Sequence, residues 1–186
     1  ITFFKVVYRR HTNFSMEAIE QTINGSVAVN GNSSVTISRN GDLVGKIYVV
    51  NSSSTSTTNG SEILSEVEIG GQRIDKHYAE YNQMVNELAT PDSKAAAFKN
   101  MIGDIGTAGT ADSTGPVMTQ YPLNFWFCRN PGLALPLIAL QYHEVKVKFT
   151  WGSSAAKGVD SNVQVWADYV YLDTDERRRF AQVSHE

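Results

Sequence analysis

Tyr121-Pro-Leu-Asn-Phe-Trp-Phe-Cys-Arg-Asn-Pro-Gly-Leu-Ala-Leu-Pro-Leu-Ile-Ala-Leu-Gln-Tyr-His-Glu-Val-Lys-Val-Lys-Phe-Thr-Trp151 is the most apolar stretch of the chain and carries three of its five prolines. Its last part alternates without fault. Val145, Val147, Phe149 and Trp151 point one way, and Glu144, Lys146, Lys148 and Thr150 the other. A period of two is the mark of a strand with one face on a core and one in water. Asn130-Pro131-Gly132 and Pro136 interrupt the apolar run that precedes it. Proline removes a backbone donor and clashes with the preceding turn, so one long helix is excluded. The expected reading is a strand over Leu123–Cys128, a turn at Arg129–Gly132, an irregular apolar connection, and a strand over Tyr142–Trp151. No charged residue lies between Arg129 and Glu144, so a core is built here.

Outward from this stretch the same period recurs. Val163–Leu172 is apolar on both faces, which predicts a central strand. Asp173–Arg179 reads as a helical turn, acids first and arginines last, as the helix dipole favours. On the other side, strands are expected at Thr2–Tyr8, Met16–Ile23, Ser34–Arg39, Leu43–Val50 and Ile63–Ile69, with Gln72–Ile74 as a short return after Gly70-Gly71. A helical start at Met16–Ile23 is the alternative there. Asn24-Gly25 and Asn40-Gly41 are turn dipeptides. The period changes at Asp75–Leu88, where Tyr78, Tyr81, Val85 and Leu88 form a helical stripe with Asp75 as the expected N-cap. Pro91–Ile102 is a second short helix. Asn51–Ser61, rich in serine and threonine, and Gly103–Gly115, with four glycines, read as exposed loops. Eight or nine short strands with few helices predict an all-β antiparallel sandwich.

The 186 residues suit one domain that holds its core without staples. The single cysteine, Cys128, excludes an intrachain disulfide and fits a reducing compartment. A net charge of -3 gives no basic surface for nucleic acid. The longest apolar run, Leu133–Leu140, contains Pro136 and is too short to span a bilayer. The chain starts at Ile1 inside an apolar pattern, which implies further residues upstream.

Reactive constellations are missing from the pattern. His11, His77, His143 and His185 are scattered, with no HxH or HExxH spacing, and are expected at the surface. Cys128 sits in an aromatic run and reads as a small buried side chain rather than a nucleophile. There is no GxSxG elbow. The glycines from Gly103 to Gly109 lack the Gly-Lys-Ser/Thr ending of a phosphate loop. Asp173, Asp175 and Glu176 precede Arg177, Arg178 and Arg179, and local ion pairs account for them. Arg9-Arg10 is too short for a nucleic-acid patch and suits an interface or ion pair. Sequons occur at Asn13, Asn24, Asn32, Asn51 and Asn59, and they are N-glycosylation sites only if the chain enters a secretory route.

Five blocks in order carry a family resemblance. They are Ile1-Thr-Phe-Phe-Lys-Val-Val-Tyr-Arg-Arg-His-Thr-Asn-Phe14, Ser38-Arg-Asn-Gly-Asp-Leu43, Glu68-Ile-Gly-Gly-Gln-Arg-Ile-Asp-Lys-His77, Pro131-Gly-Leu-Ala-Leu-Pro-Leu-Ile-Ala-Leu-Gln-Tyr-His-Glu-Val145 and Tyr171-Leu-Asp-Thr-Asp-Glu-Arg-Arg-Arg-Phe-Ala-Gln182. Together they resemble the major capsid proteins of large nucleocytoplasmic DNA viruses, the phycodnavirus, iridovirus and mimivirus-like group. The resemblance implies an eight-stranded jelly roll over 1–172. It implies that 173–186 starts a linker to a second jelly roll. It further implies trimeric capsomers of an icosahedral capsid built from further copies, with minor capsid proteins as partners and an internal membrane nearby. No enzyme activity, cofactor, metal or direct nucleic-acid contact is implied. The expected location is the virion capsid, assembled in the host cytoplasm. The alternative function is a jelly-roll carbohydrate-binding module. It would need Trp126, Trp151 and Trp166 exposed to stack on sugars, whereas their strand positions favour core packing.

Overall fold

A computed structural model describes residues 11–51, 63–103, 118–152 and 162–182. In chain order the strands are β1 (Phe14–Gln21), β2 (Ile23–Gly25), β3 (Asn32–Thr36), β4 (Leu43–Asn51), β5 (Leu64–Ile69), β6 (Gln72–His77), β7 (Gln120–Pro122), β8 (Leu135–Pro136), β9 (Val145–Thr150) and β10 (Val163–Leu172). The helices are α1 (Ala79–Ala89), α2 (Asp92–Ile102), the single turn α3 (Trp126–Arg129) and α4 (Thr174–Gln182), with a 3-10 turn at Pro131–Leu133.

The strands make two sheets with antiparallel pairing throughout. Sheet A runs β1-β10-β4-β7, and β8 pairs β4 on the flank it shares with β7. Sheet B runs β2-β3-β9-β5-β6. β1 and β2 are nearly one strand. The chain leaves the edge of sheet A at Thr22 and joins the edge of sheet B. With β2 taken as the tail of β1, and β7 and β8 as one interrupted strand, eight strands remain, four in each sheet. Most connections pass from one sheet to the other, which is jelly-roll topology.

Alternation fixes which side chains meet between the sheets. Val35, Val67, Val145, Val147 and Phe149 from sheet B face Val44, Ile47, Val49, Val165, Ala167 and Tyr169 from sheet A, and all are buried. Each such aliphatic side chain stabilises the fold by about 1.5–3 kcal/mol. β10 lies between β1 and β4, as its two apolar faces predict. Outside sheet B the pattern is ionic. Glu66 pairs with Lys76 at 3.2 Å and Arg73 at 3.6 Å, and Glu68 pairs with Lys148.

Several boundaries differ from the sequence reading. Asp75 does not cap a helix. It stays in β6 opposite Val67, because ladder pairing with β5 holds the chain extended to His77. Helix α1 begins only at Ala79. The strand expected at Leu123–Cys128 is instead β7 followed by an extended segment and α3. Burial alternates over Tyr121, Leu123, Phe125 and Phe127, but the backbone turns at Trp126, where Cys128 N–H donates to Phe125 O at 2.9 Å. Phe125 and Phe127 still stack, with centroids 5.8 Å apart, so the same aromatics fill the core by another route. The strand expected from Tyr142 starts at Val145, and Tyr142 is exposed. Among the described residues the helices are the two expected after β6, α4 where the helical turn was expected, and the single turn α3. The predicted strand at Thr2–Tyr8 and most of the loops at Asn51–Ser61 and Gly103–Gly115 lie outside the described residues.

Helix α1 departs most. Its expected inner stripe is only half inside: Tyr81 and Val85 are half-buried, with Tyr81 on His77 at 4.6 Å, and the ends of the stripe face outward. The buried residues are Ala79, Asn82 and Asn86, whereas Tyr78, Met84 and Leu88 are exposed. Asn124 accounts for part of this orientation. Its amide donates to the side-chain oxygens of Asn82 at 3.2 Å and Asn86 at 3.1 Å, which satisfies those two buried oxygens while the Nδ2 groups of both asparagines find no partner among the described residues.

Candidate assembly surfaces

The opening apolar stretch builds no cleft. Asn130 caps the 3-10 turn, its side chain accepting from Gly132 N–H at 2.9 Å. β8 then pairs with the start of β4, and Leu135 and Leu137 plug the core. Leu133 remains exposed, so the segment 133–140 is only partly internal. Arg39, which follows β3, ties down the far end by donating to the carbonyls of Leu140, Gln141 and His143. Gly70, at φ +60°, completes the fit. A Cβ there would stand 2.6 Å from His143 Nδ1.

The exit of the chain is anchored as firmly. Asp42 accepts from Leu172 N–H at 2.7 Å and pairs with Arg177 Nε at 3.0 Å. Arg177 therefore bonds across the fold rather than locally as expected, while Arg179 and Glu176 keep a local pair at 3.8 Å. Asp173 accepts from Thr174 N–H at 2.7 Å at the start of α4.

The outer face of sheet A carries an apolar patch, interrupted by Glu20, Gln164 and Asp168. The register places Phe14 beside Leu172, Met16 beside Val170, Val170 beside Leu43, and Trp166 beside Tyr48. Phe14 and Met16 are exposed and the others partly so. A monomer in water seldom presents such a patch without a partner. The outer face of sheet B, with its ion pairs, is an ordinary solvated surface. An open groove of about 310 Å³ there is lined by Asn24, Asn32, Glu66, Lys148 and Thr150. Thr150 Oγ1 there already donates to Asn32 Oδ1 at 2.9 Å, and Glu66 and Lys148 are paired with Lys76 and Glu68 beside it.

Among the described residues, those singled out for chemistry do not converge. His11 and His143 are exposed, and His185 lies outside the described residues. His77 corrects the surface expectation. It is buried, stacks on Phe125 with centroids 4.9 Å apart, and meets Asp75 through Nε2 at 3.0 Å. Burial pushes its imidazole below the ordinary range, against the pull of Asp75 and with the help of Arg129. No simple signal marked it, since it ends a strand that the sequence reading stopped at Ile74. Burial pushes the Cys128 thiol up to about 12, so it is no thiolate nucleophile. Among the described residues no three His, Cys, Asp or Glu side chains are grouped to hold a metal ion.

Among the sequons, Asn13, Asn24 and Asn32 are exposed, Asn51 is buried within β4, and Asn59 lies outside the described residues. Trp151 is 2% exposed, stacks on Phe149 at 5.1 Å, and donates from Nε1 to Ser33 Oγ at 2.9 Å. Trp126 and Trp166 are half-buried on different elements. The three tryptophans thus form no sugar-stacking platform.

Two antiparallel four-stranded sheets, one of them with an apolar outer patch, define the class: a jelly-roll domain. Residues 2–173 match the family model of the major capsid protein N-terminus. The chain belongs to that family. It is 50% identical over 203 residues to a major capsid protein of Pyramimonas orientalis virus, covering all of this chain and 51% of that one. It is 46% identical to a major capsid protein of Paramecium bursaria Chlorella virus 1, covering all of this chain and 46% of the relative. A structure of the PBCV-1 virus capsid superposes with a TM-score of 0.74 at 40% identity, over 99% of this chain and 48% of that one. The Faustovirus major capsid protein, 13% identical with a TM-score of 0.63, shares the fold. The chain spans about half the length of the relatives it matches. Those relatives are structural capsid components. No helix among the described residues is long and apolar enough to cross a membrane.

Proposed function

We propose that the protein is a structural subunit of an icosahedral viral capsid that self-assembles as trimeric capsomers with further copies of itself. The observation that carries the reading is the likeness, at 40% identity over 99% of this chain, to a protein seen in an assembled capsid. The physical features agree with it. The rigid sandwich needs no active site, and weak contacts repeated by symmetry hold a shell together.

In this reading 1–172 is the first of two jelly rolls and 173–186 leads into the linker. The apolar patch on the outer face of sheet A, beside the point where α4 leaves, is then the natural place for the second half to pack. Minor capsid proteins and a membrane beneath the shell are further neighbours, the genome is not gripped directly, and assembly takes place in the host cytoplasm. Among the described residues Asn13, Asn24 and Asn32 are the sequons open to glycosylation, which intact mass of virion-derived protein tests. Electron microscopy of the purified full-length protein tests the main reading. Hexagonal trimers or shell arrays are expected, and a monomer that binds glycans and never assembles would overturn it.

A further inference from the structure

Helix α1 turns Met84 and Leu88 away from its own domain. They stand beside the half-buried Tyr81, which packs on His77 with centroids 4.6 Å apart, and the half-buried Val85, so that positions i, i+3, i+4 and i+7 make one stripe open along its outer side. Met84 is 56% and Leu88 82% exposed, while Asn82 on the opposite face is fully buried. Burying amides and exposing leucine and methionine is the reverse of what a solitary amphipathic helix does. The arrangement is stabilising only if something covers the stripe.

We propose that the α1 stripe is a docking surface for a second copy of the protein, an inference that rests on the capsid-subunit reading. The path of the chain identifies the occupant. The polypeptide leaves the domain through α4, beside Phe14 and Leu172, on the β1–β10 side of the sandwich. Helix α1 hangs from β6, at the other end of sheet B, and rests on Asn124 beside β7, at the other end of sheet A. The remaining half of the protein therefore begins on the side away from α1. In a closed wall both sides of the sandwich meet a neighbour, and the α1 side is left to another copy. The charges along the rim permit this. Glu87 pairs with Lys99 at 3.2 Å and Lys76 with Glu66 at 3.2 Å, so neither sign dominates and copies do not repel.

The test uses the full-length protein with a photo-reactive amino acid at position 88, alongside the variant Leu88→Glu. Cross-linked species of twice the monomer mass are expected. Leu88→Glu is expected to lower the association constant at least about tenfold, as for a residue central to an interface, with the melting temperature of the dissociated subunit unchanged. Cross-links confined to one chain would overturn the proposal, as would a Leu88→Glu protein that assembles like wild type. If the wild-type protein itself never assembles, the capsid reading fails and this inference falls with it. Assembly of the wild type with no cross-link between chains at position 88 sinks the α1 surface alone.

Discussion

Tyr169 shows how one side chain joins two sheets. Its hydroxyl donates to Ser38 O at 2.6 Å and lies 3.1 Å from Gln21 Oε1, which also accepts from Ser38 N–H at 3.0 Å. Tyr169 belongs to β10, Gln21 closes β1, and Ser38 follows β3 of the opposite sheet. Tyr169→Phe keeps the ring and removes the link, so a loss of about 1–2 kcal/mol is expected in urea unfolding. His77 gives a pH signature. Its Nε2 faces Asp75, and Nδ1 is buried with no acceptor, so a second proton has nowhere to bond. Its folded pKa is depressed by burial from the ordinary 6.5. The unfolded state therefore binds the proton first as pH falls. The stabilisation is complete above about 6.5 and is lost as pH drops through the folded value. His77→Phe, which keeps the stacking on Phe125, is expected to lose less stability than wild type between pH 7 and pH 5. Equal slopes in paired urea titrations would contradict the burial argument.

Among the elements, α2 has the clearest stop. Gly103 takes φ +70° and its N–H reaches back to the carbonyls of Lys99 and Asn100. A Cβ there would lie 2.9 Å from Met118 N, a main-chain atom with little room to yield. Gly103→Ala is expected to cost about 2 kcal/mol, part from the left-handed backbone and part from the collision, and thermal melts measure it. The strands were the legible part of the sequence. Val163–Leu172 and Leu43–Val50 could be read because alternation and β-branched side chains are local properties. The α1 stripe was legible as a pattern but not as a direction. Helical spacing says which residues share a face, and distant partners such as Asn124, 38 residues away from Asn86, help decide which face turns inward. The turn from β7 into α3 was hidden for a related reason, since Phe125 and Phe127 alternate in burial whether the backbone is extended or turned.

For the whole molecule, position within the sheets sets resistance to opening. β10 and β4 are flanked on both sides in sheet A, as β9 and β5 are in sheet B, while β1 and β6 are edges. Hydrogen exchange is expected to be slowest in β4, β9 and β10 and fastest in β1 and β6. Faster exchange in β10 than in β1 would contradict the strand order.

The sequence by itself determined an all-β antiparallel sandwich, its main strands, and five blocks that resemble a capsid family. Those are properties of local period, composition and ordered motifs. Only the tertiary structure decided that His77 is buried and Trp151 closed off, and that Arg177 reaches Asp42 instead of its neighbours. It alone left Met84 and Leu88 of α1 open to solvent. Each of these depends on partners distant in the chain, and residue spacing cannot specify which distant side chains will meet.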